Sequence, residues 1–463
     1  MSVSTTTTAA PRTADAAILE CFKAYDVRGR VPEQLNEGVA WRIGRAYAEQ
    51  FGARTVVIGR DVRPTSEALS TAVSDGLRSA GANVCDIGLC GTEEIYFATT
   101  HLGLDGGIMI TASHNPPEYN GMKFVRAGAR PVGIASGLRE IAQRAAGPLP
   151  RRVTAKGEYR HGNVRDAYVR HVLSYVDRHL LEPTTVVVNS GNGSAGPVVD
   201  ALAQHLPLKL VRVAHEPDGS FPNGVPNPLL PEARSQTSKA VVSSGAELGV
   251  AWDGDFDRCF LFDGRGRFVD GYYVVGLLAK AFLSKSPGAK IAHDPRLTWN
   301  TIEVVNRAGG VPVLSRCGHT NLKDTMRSAN AVYGGEMSGH HYFRDFAYCD
   351  SGMIPWLVVL ELMARSGRGL AELVVERQRA FPSSGEINRP VANADAATYR
   401  VLEHYRESAL RVSYLDGVSM EFRDWRFNLR PSNTEPLLRL NVEARADELL
   451  VRRRTAEILE LLE

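Results

Sequence analysis

The chain has 463 residues, 44% hydrophobic and 23% charged, with a formal net charge of +2. That length predicts about three or four domains, and the composition is that of a folded protein able to bury several cores. No run of five like charges occurs, which argues against a nucleic-acid or membrane-surface binder. Cys21, Cys85, Cys90, Cys259, Cys317 and Cys349 form no CxxC pair and read as reduced, structural thiols. The apolar stretches Tyr272–Leu283 and Met353–Ala364 are too short to span a bilayer and are broken by Lys280 and Glu361. Residues 1–17, rich in Ser, Thr and Ala, lack the order of a secretory signal; a disordered tail and a cytoplasmic protein are expected.

Beyond that tail, strands and helices alternate. Thr55–Ile58 is a β-branched strand ending in Gly59-Arg60-Asp61, and Pro64 opens a helix to about Ser79. Asn83–Ile87 and Gly106–Ile110 are further strands. The plan recurs with strands Thr184–Val188, Leu208–Val213 and Leu248–Trp252. A third round has strands Lys290–His293, Val311–Ser315 and Ala331–Gly334, with helices at Thr298–Ala308 and near Asn321–Ser328. Such alternation predicts doubly wound, mostly parallel sheets. From about residue 380 the pattern changes to strands near Ser419–Phe422, Trp425–Leu429 and Leu437–Glu443 with a closing helix, a smaller α+β domain. The expected division is 1–17 tail, 18–158, 159–267, 268–379 and 380–463.

Four loops concentrate chemistry. Thr111-Ala112-Ser113-His114-Asn115-Pro116 follows a strand, where doubly wound sheets place their sites, and Ser113 there can act as nucleophile or phosphate carrier. The bland alternative is a Ser/Asn turn ahead of Pro116-Pro117. Asp253-Gly254-Asp255-Phe256-Asp257-Arg258 packs three carboxylates whose repulsion calls for a hard cation such as Mg²⁺ or Ca²⁺. It is not an EF-hand, because Arg258 stands where glycine is needed and Gly264 where glutamate is needed; a solvated acidic turn is the alternative. Gly334-Gly335-Glu336-Met337-Ser338-Gly339-His340 offers acceptors for sugar hydroxyls, or is a plain glycine turn. Arg430-Pro431-Ser432-Asn433-Thr434-Glu435 makes a phosphate cradle, or a capped turn between strands. Gly191-Asn192-Gly193-Ser194-Ala195-Gly196 matches a dinucleotide fingerprint, but the carboxylate at the end of the next strand, Glu216, lies too far on and precedes Pro217; it reads as a tight β–α turn.

Together the four loops, with Phe22-Lys23-Ala24-Tyr25-Asp26-Val27-Arg28-Gly29 and Tyr119-Asn120-Gly121-Met122-Lys123, resemble the α-D-phosphohexomutase superfamily, bacterial phosphomannomutase/phosphoglucomutase enzymes in particular. The resemblance implies an α/β fold: three similar mixed α/β domains plus a smaller C-terminal α+β domain around a central cleft. It implies Ser113 as phosphoserine; Asp253, Asp255 and Asp257 as Mg²⁺ ligands with the Ser113 phosphate completing the site; and Glu336 and Ser338 on the sugar. Arg430, Ser432, Asn433 and Thr434 would clamp the non-reacting phosphate. Tyr25, Arg28, Lys123, Arg258, His319 and His340 match cleft positions, Lys123 and His319 being the candidates for proton transfer, while His114 would hydrogen-bond what Ser113 carries and Arg296 would bind substrate. Arg296 replaces the lysine of many relatives, and Thr320 follows His319 where serine or alanine is common, which bears on substrate preference. The implied reaction interconverts hexose 6- and 1-phosphates of mannose and glucose through a hexose 1,6-bisphosphate. Small-molecule hexose phosphates would be the partners of a monomer or weak homodimer, with no nucleic acid or membrane. The rivals are a phosphoglucosamine mutase, disfavoured by Met337 in the sugar loop, a metal-dependent sugar phosphatase, and a non-catalytic sugar-phosphate sensor.

Overall fold

The computed structural model describes residues 19–148, 155–432 and 437–463; the expected tail at 1–17 lies outside them. Two compact units are present. One ends at Val164 and takes in Asp218–Ser220; the other comprises Arg165–Pro217 and Phe221–Glu463.

In the first unit the β-branched segment Thr55–Arg60 lies at the centre of a sheet, buried along its middle. It pairs in parallel with Asn83–Leu89 and with Gly106–Ile110. The helices Glu37–Phe51 and Ser66–Ser79 cross closely because Gly44 and Gly76 carry no side chain. A Cβ at Gly44 would lie 2.3 Å from the Val73 carbonyl, and one at Gly76 2.0 Å from that of Trp41. Asn36 caps the first helix by accepting from the Val39 N–H at 3.1 Å.

The second unit holds three sheets. Thr184–Asn189 pairs in parallel with Leu208–Val213 and Leu248–Trp252. Lys290–His293 pairs in parallel with Val311–Leu314 and Tyr333–Gly335. The last sheet, residues 383–444, is wholly antiparallel and is backed by the helices Ala394–Tyr405 and Glu448–Leu461. A buried polar knot ties this sheet to its neighbour. Arg426 Nη1 donates to Glu443 at 2.7 Å, Tyr272 Oη donates to the same carboxylate, and the Thr298 N–H reaches it at 2.7 Å. Burial, then the adjacent Glu443 charge, pushes the Tyr272 phenol well above its usual range, so it serves as a donor.

The first three sheets differ from the mostly parallel expectation in one repeated way. Gly106–Ile110, Leu248–Trp252 and Tyr333–Gly335 each end in a polar loop and return as an antiparallel strand: Tyr119–Arg126, Cys259–Asp263 and His341–Phe343. These connections are too short for a crossover helix, so the chain can only double back. The first three chemistry-bearing loops are therefore the same structural feature, set at the carboxyl end of a parallel strand. Among the described residues no disulfide joins the cysteines, and no helix is long and apolar enough to cross a membrane.

Candidate functional site

In the first unit Ser113 is 3% exposed and adopts φ 49°, a left-handed conformation that costs a residue with a Cβ. Its N–H donates to the Thr111 hydroxyl at 2.8 Å, and its Oγ lies 3.0 Å from His114 Nδ1. Arg28, on the strand Val27–Arg30, donates to the Ala112 carbonyl at 2.9 Å and to the Asn115 side chain. That strand pairs with Tyr119–Arg126, which carries Lys123, half-buried. Tyr25, just before Val27–Arg30, is also half-buried.

Arg63 was not anticipated. Its guanidinium is buried, and Nη2 donates to the carbonyls of Ser113 (2.9 Å) and Asn115 (2.6 Å). Nη1 donates to those of Pro116 (2.7 Å) and Tyr119 (2.9 Å). Asp61 Oδ2 balances its charge at 3.4 Å, while Asp61 Oδ1 accepts from Ser66. One planar fork thus sets the path of the whole serine loop. The only sequence signal was an acid and a base just past the strand Thr55–Arg60. We expect Arg63→Lys, which keeps the charge and loses the fork, to lower kcat about tenfold or more, KM changing little. Steady-state kinetics checks this.

In the second unit Asp253, Asp255 and Asp257 are buried, and each offers an oxygen within 4.8 Å of the others. Phe256 turns the loop with φ 45°. Arg258 donates through Nε and Nη2 to Asp253 Oδ2, both at 2.8 Å. Burial works against its charge, but Asp253, Asp257 and Asp255 outweigh that and hold the guanidinium above its usual range. Three buried carboxylates clustered in one loop form the oxygen donor set that suits a hard divalent cation. The glycine-rich turn Gly191–Gly196 buttresses this loop: the Ser194 N–H donates to the Gly254 carbonyl at 3.0 Å, and a Cβ on Gly193 would lie 2.6 Å from that oxygen.

His340 Nε2 lies 3.6 Å from Asp257 and its Nδ1 3.8 Å from Glu336, joining the acidic loop to the GEMSGH loop. Glu336 accepts from the Gly318 N–H (2.9 Å) and from Tyr342 Oη (2.6 Å), which leaves carboxylate lone pairs available for hydroxyl donors. Ser338 Oγ lies 3.3 Å from His340 and 3.5 Å from Arg296. Half-buried His319 opens the helix His319–Ala329 beside Gly318. Arg296 is held by Asp294 at 2.6 Å and approaches Glu336 at 3.6 Å and Glu386 at 3.5 Å. Arg430 donates to Glu386 at 2.9 Å, and Ser432 accepts from Arg439 at 3.3 Å. Asn433 and Thr434 lie outside the described residues. Thus Arg258, Arg296, Glu336, Ser338, His340, Arg430 and the three aspartates fall into one connected polar array.

Four family models match in order: phosphoglucomutase/phosphomannomutase alpha/beta/alpha domain I over residues 19–147, domain II over 166–266, domain III over 270–381, and the C-terminal domain over 386–461. The chain is 60% identical over 451 residues to a phosphomannomutase of Salmonella montevideo, covering 96% of this chain and 99% of the relative. It is 59% identical over 444 residues to the phosphohexose mutases of Xanthomonas campestris, with coverage of 96% and 99%. The crystal structure of a phosphoglucomutase/phosphomannomutase family protein from Burkholderia thailandensis superposes with a TM-score of 0.86 at 32% identity, over 96% of this chain and 97% of that one. By sequence, fold and domain order, the chain belongs to the phosphoglucomutase/phosphomannomutase family of the α-D-phosphohexomutase superfamily.

Proposed function

We propose that this enzyme interconverts the 6- and 1-phosphates of mannose and of glucose, with Ser113 as the phosphoryl carrier. The observation that carries the reading is the continuity of the array in the second unit. It runs from the buried carboxylates through His340 to Glu336 and Ser338, then through Arg296 to the arginines at Glu386. Those are a cation site, a hydroxyl-recognition site and an anion site in sequence, the groups a hexose phosphate requires. Its relatives from Salmonella and Xanthomonas are named phosphomannomutase and phosphohexose mutases, which supports a hexose phosphate as substrate.

In this reading Asp253, Asp255 and Asp257 would hold Mg²⁺, which would offset negative charge on the transferring phosphoryl group. The bond from phosphorus to Ser113 Oγ breaks as one forms to the free hydroxyl of the bound hexose phosphate. The hydroxyl proton passes to a base, for which Lys123 and His319 are the candidates. Tyr25, Arg28, His114 and Arg258 orient and neutralise the phosphoryl group. The resulting hexose 1,6-bisphosphate turns end for end and returns its other phosphoryl group to Ser113. Arg430 and Ser432, with Asn433 and Thr434, grip whichever phosphate is not reacting. Glu336 takes the 3- and 4-hydroxyls, which mannose and glucose share, so the two epimers use one pocket. The enzyme works in the cytoplasm as a monomer or weak homodimer.

The test is turnover of mannose 1-phosphate, glucose 1-phosphate and glucosamine 1-phosphate, primed with glucose 1,6-bisphosphate. The first two should react at least about tenfold faster than the third, since a site built for a neutral hydroxyl discriminates by about that factor or more. Preference for the amino sugar would replace this reading with phosphoglucosamine mutation. Steady release of inorganic phosphate would replace it with a phosphatase.

A further inference from the structure

In the last sheet, Arg430 on Trp425–Pro431 and Arg439 on Leu437–Ala444 stand directly opposite one another. Two like charges at paired positions of an antiparallel ladder repel and need an anion between them. Glu386, on the third strand Ser383–Pro390, supplies it: Oε2 accepts from Arg430 at 2.9 Å and Oε1 from Arg439 at 3.3 Å. The ladder register shifts between Ser383 and Glu386, and Gly385 at φ 65° sits in that irregularity. A bulge of this kind re-aims a side chain. Arg296 adds a third guanidinium at 3.5 Å but is itself engaged by Asp294 and Glu336. Burial disfavours the Glu386 charge, yet the three arginines prevail and hold its carboxyl below the usual range. Arg439 also donates to Ser432, the hydroxyl already placed at the phosphate.

We propose that Glu386 is the resident counter-anion of the phosphate clamp and that Arg439 is a further guanidinium of it. The proposal rests on the mutase reading, in which Arg430 and Ser432 hold the non-reacting phosphate. With Glu386 ionised, Arg430 and Arg439 together present a net single positive charge to a phosphate dianion. The clamp is thereby detuned. It holds a hexose phosphate, and it releases the bisphosphate so that the sugar can turn. A clamp with both arginines unopposed would grip substrate and intermediate more tightly alike, lowering KM without helping the chemical step.

The measurement is competitive inhibition by inorganic phosphate, with steady-state kinetics on glucose 1-phosphate, for wild type, Glu386→Gln, Glu386→Asp and Arg439→Gln. Glu386→Gln should lower the inhibition constant for phosphate about tenfold, lower KM, and reduce kcat severalfold as turning becomes slow. Glu386→Asp should move back toward wild type, and Arg439→Gln should raise the inhibition constant about tenfold. If Glu386→Gln leaves phosphate binding unchanged or weaker, Glu386 only props the arginines and the proposal fails. Should that variant not fold, an unchanged inhibition constant in Arg439→Gln overturns the proposal by itself. Wild-type turnover in the same assay separates the two readings: its absence would sink the mutase assignment rather than the role of Glu386.

Discussion

Ser113→Ala should emerge from purification with no covalently bound phosphate, and its mutase turnover should fall by at least about 10³-fold. The wild-type protein, by contrast, should contain a fraction one phosphate heavier by intact mass. The physical case is local. Ser113 is held in a left-handed backbone by the Thr111 hydroxyl on one side and by Arg63, through its carbonyl, on the other. That strain is stored only where the surroundings over-determine the conformation, which marks a group whose direction matters. Alanine removes the hydroxyl but keeps a Cβ, so the backbone cost and the Arg63 bonds persist and the variant should fold. A phosphorylated Ser113→Ala protein, or one retaining a tenth of the activity, would remove Ser113 from the mechanism.

The next largest effect is expected at Asp255, where activity and stability should move in opposite directions. Asp255→Asn should cost more than about a hundredfold in turnover and abolish any rise in melting temperature on adding Mg²⁺. Without metal the same variant should be more stable than wild type by about 1 kcal/mol, because it relieves repulsion among three buried carboxylates. Arg258 holds Asp253 at 2.8 Å, and Asp255 shares the same buried carboxylate cluster. Thermal unfolding with and without Mg²⁺, beside the kinetics, reads both signs. A loss of activity of tenfold or less, or an unaltered response to Mg²⁺, would count against cation binding at this loop.

The local sequence was enough for the parts of this protein whose chemistry is written in consecutive residues. Thr184–Asn189 is buried and β-branched, and folds as the parallel strand its composition predicted. The serine, acidic, GEMSGH and RPSNTEP loops stood out because they concentrate turn-forming and polar residues, and the four in order, with the stretches at Phe22–Gly29 and Tyr119–Lys123, pointed to the family. What stayed hidden depends on partners far along the chain. Val27–Arg30 is four residues interrupted by Gly29; it becomes a strand only because Tyr119–Arg126 lies beside it, and that pairing puts Arg28 on the serine loop.

The doubling back of each site loop into an antiparallel return likewise follows from short connections between strands, not from hydrophobic periodicity. Arg63 and Glu386 are the clearest cases. Each is an ordinary charged residue in sequence. Folding brings Arg63 against carbonyls some fifty residues downstream, and Glu386 between two arginines on neighbouring strands. Residue type and spacing therefore determined which groups could do the chemistry. Which charge each group faces was decided by the tertiary fold, because Coulomb energy depends on distance through space and on burial, and neither is set by distance along the chain.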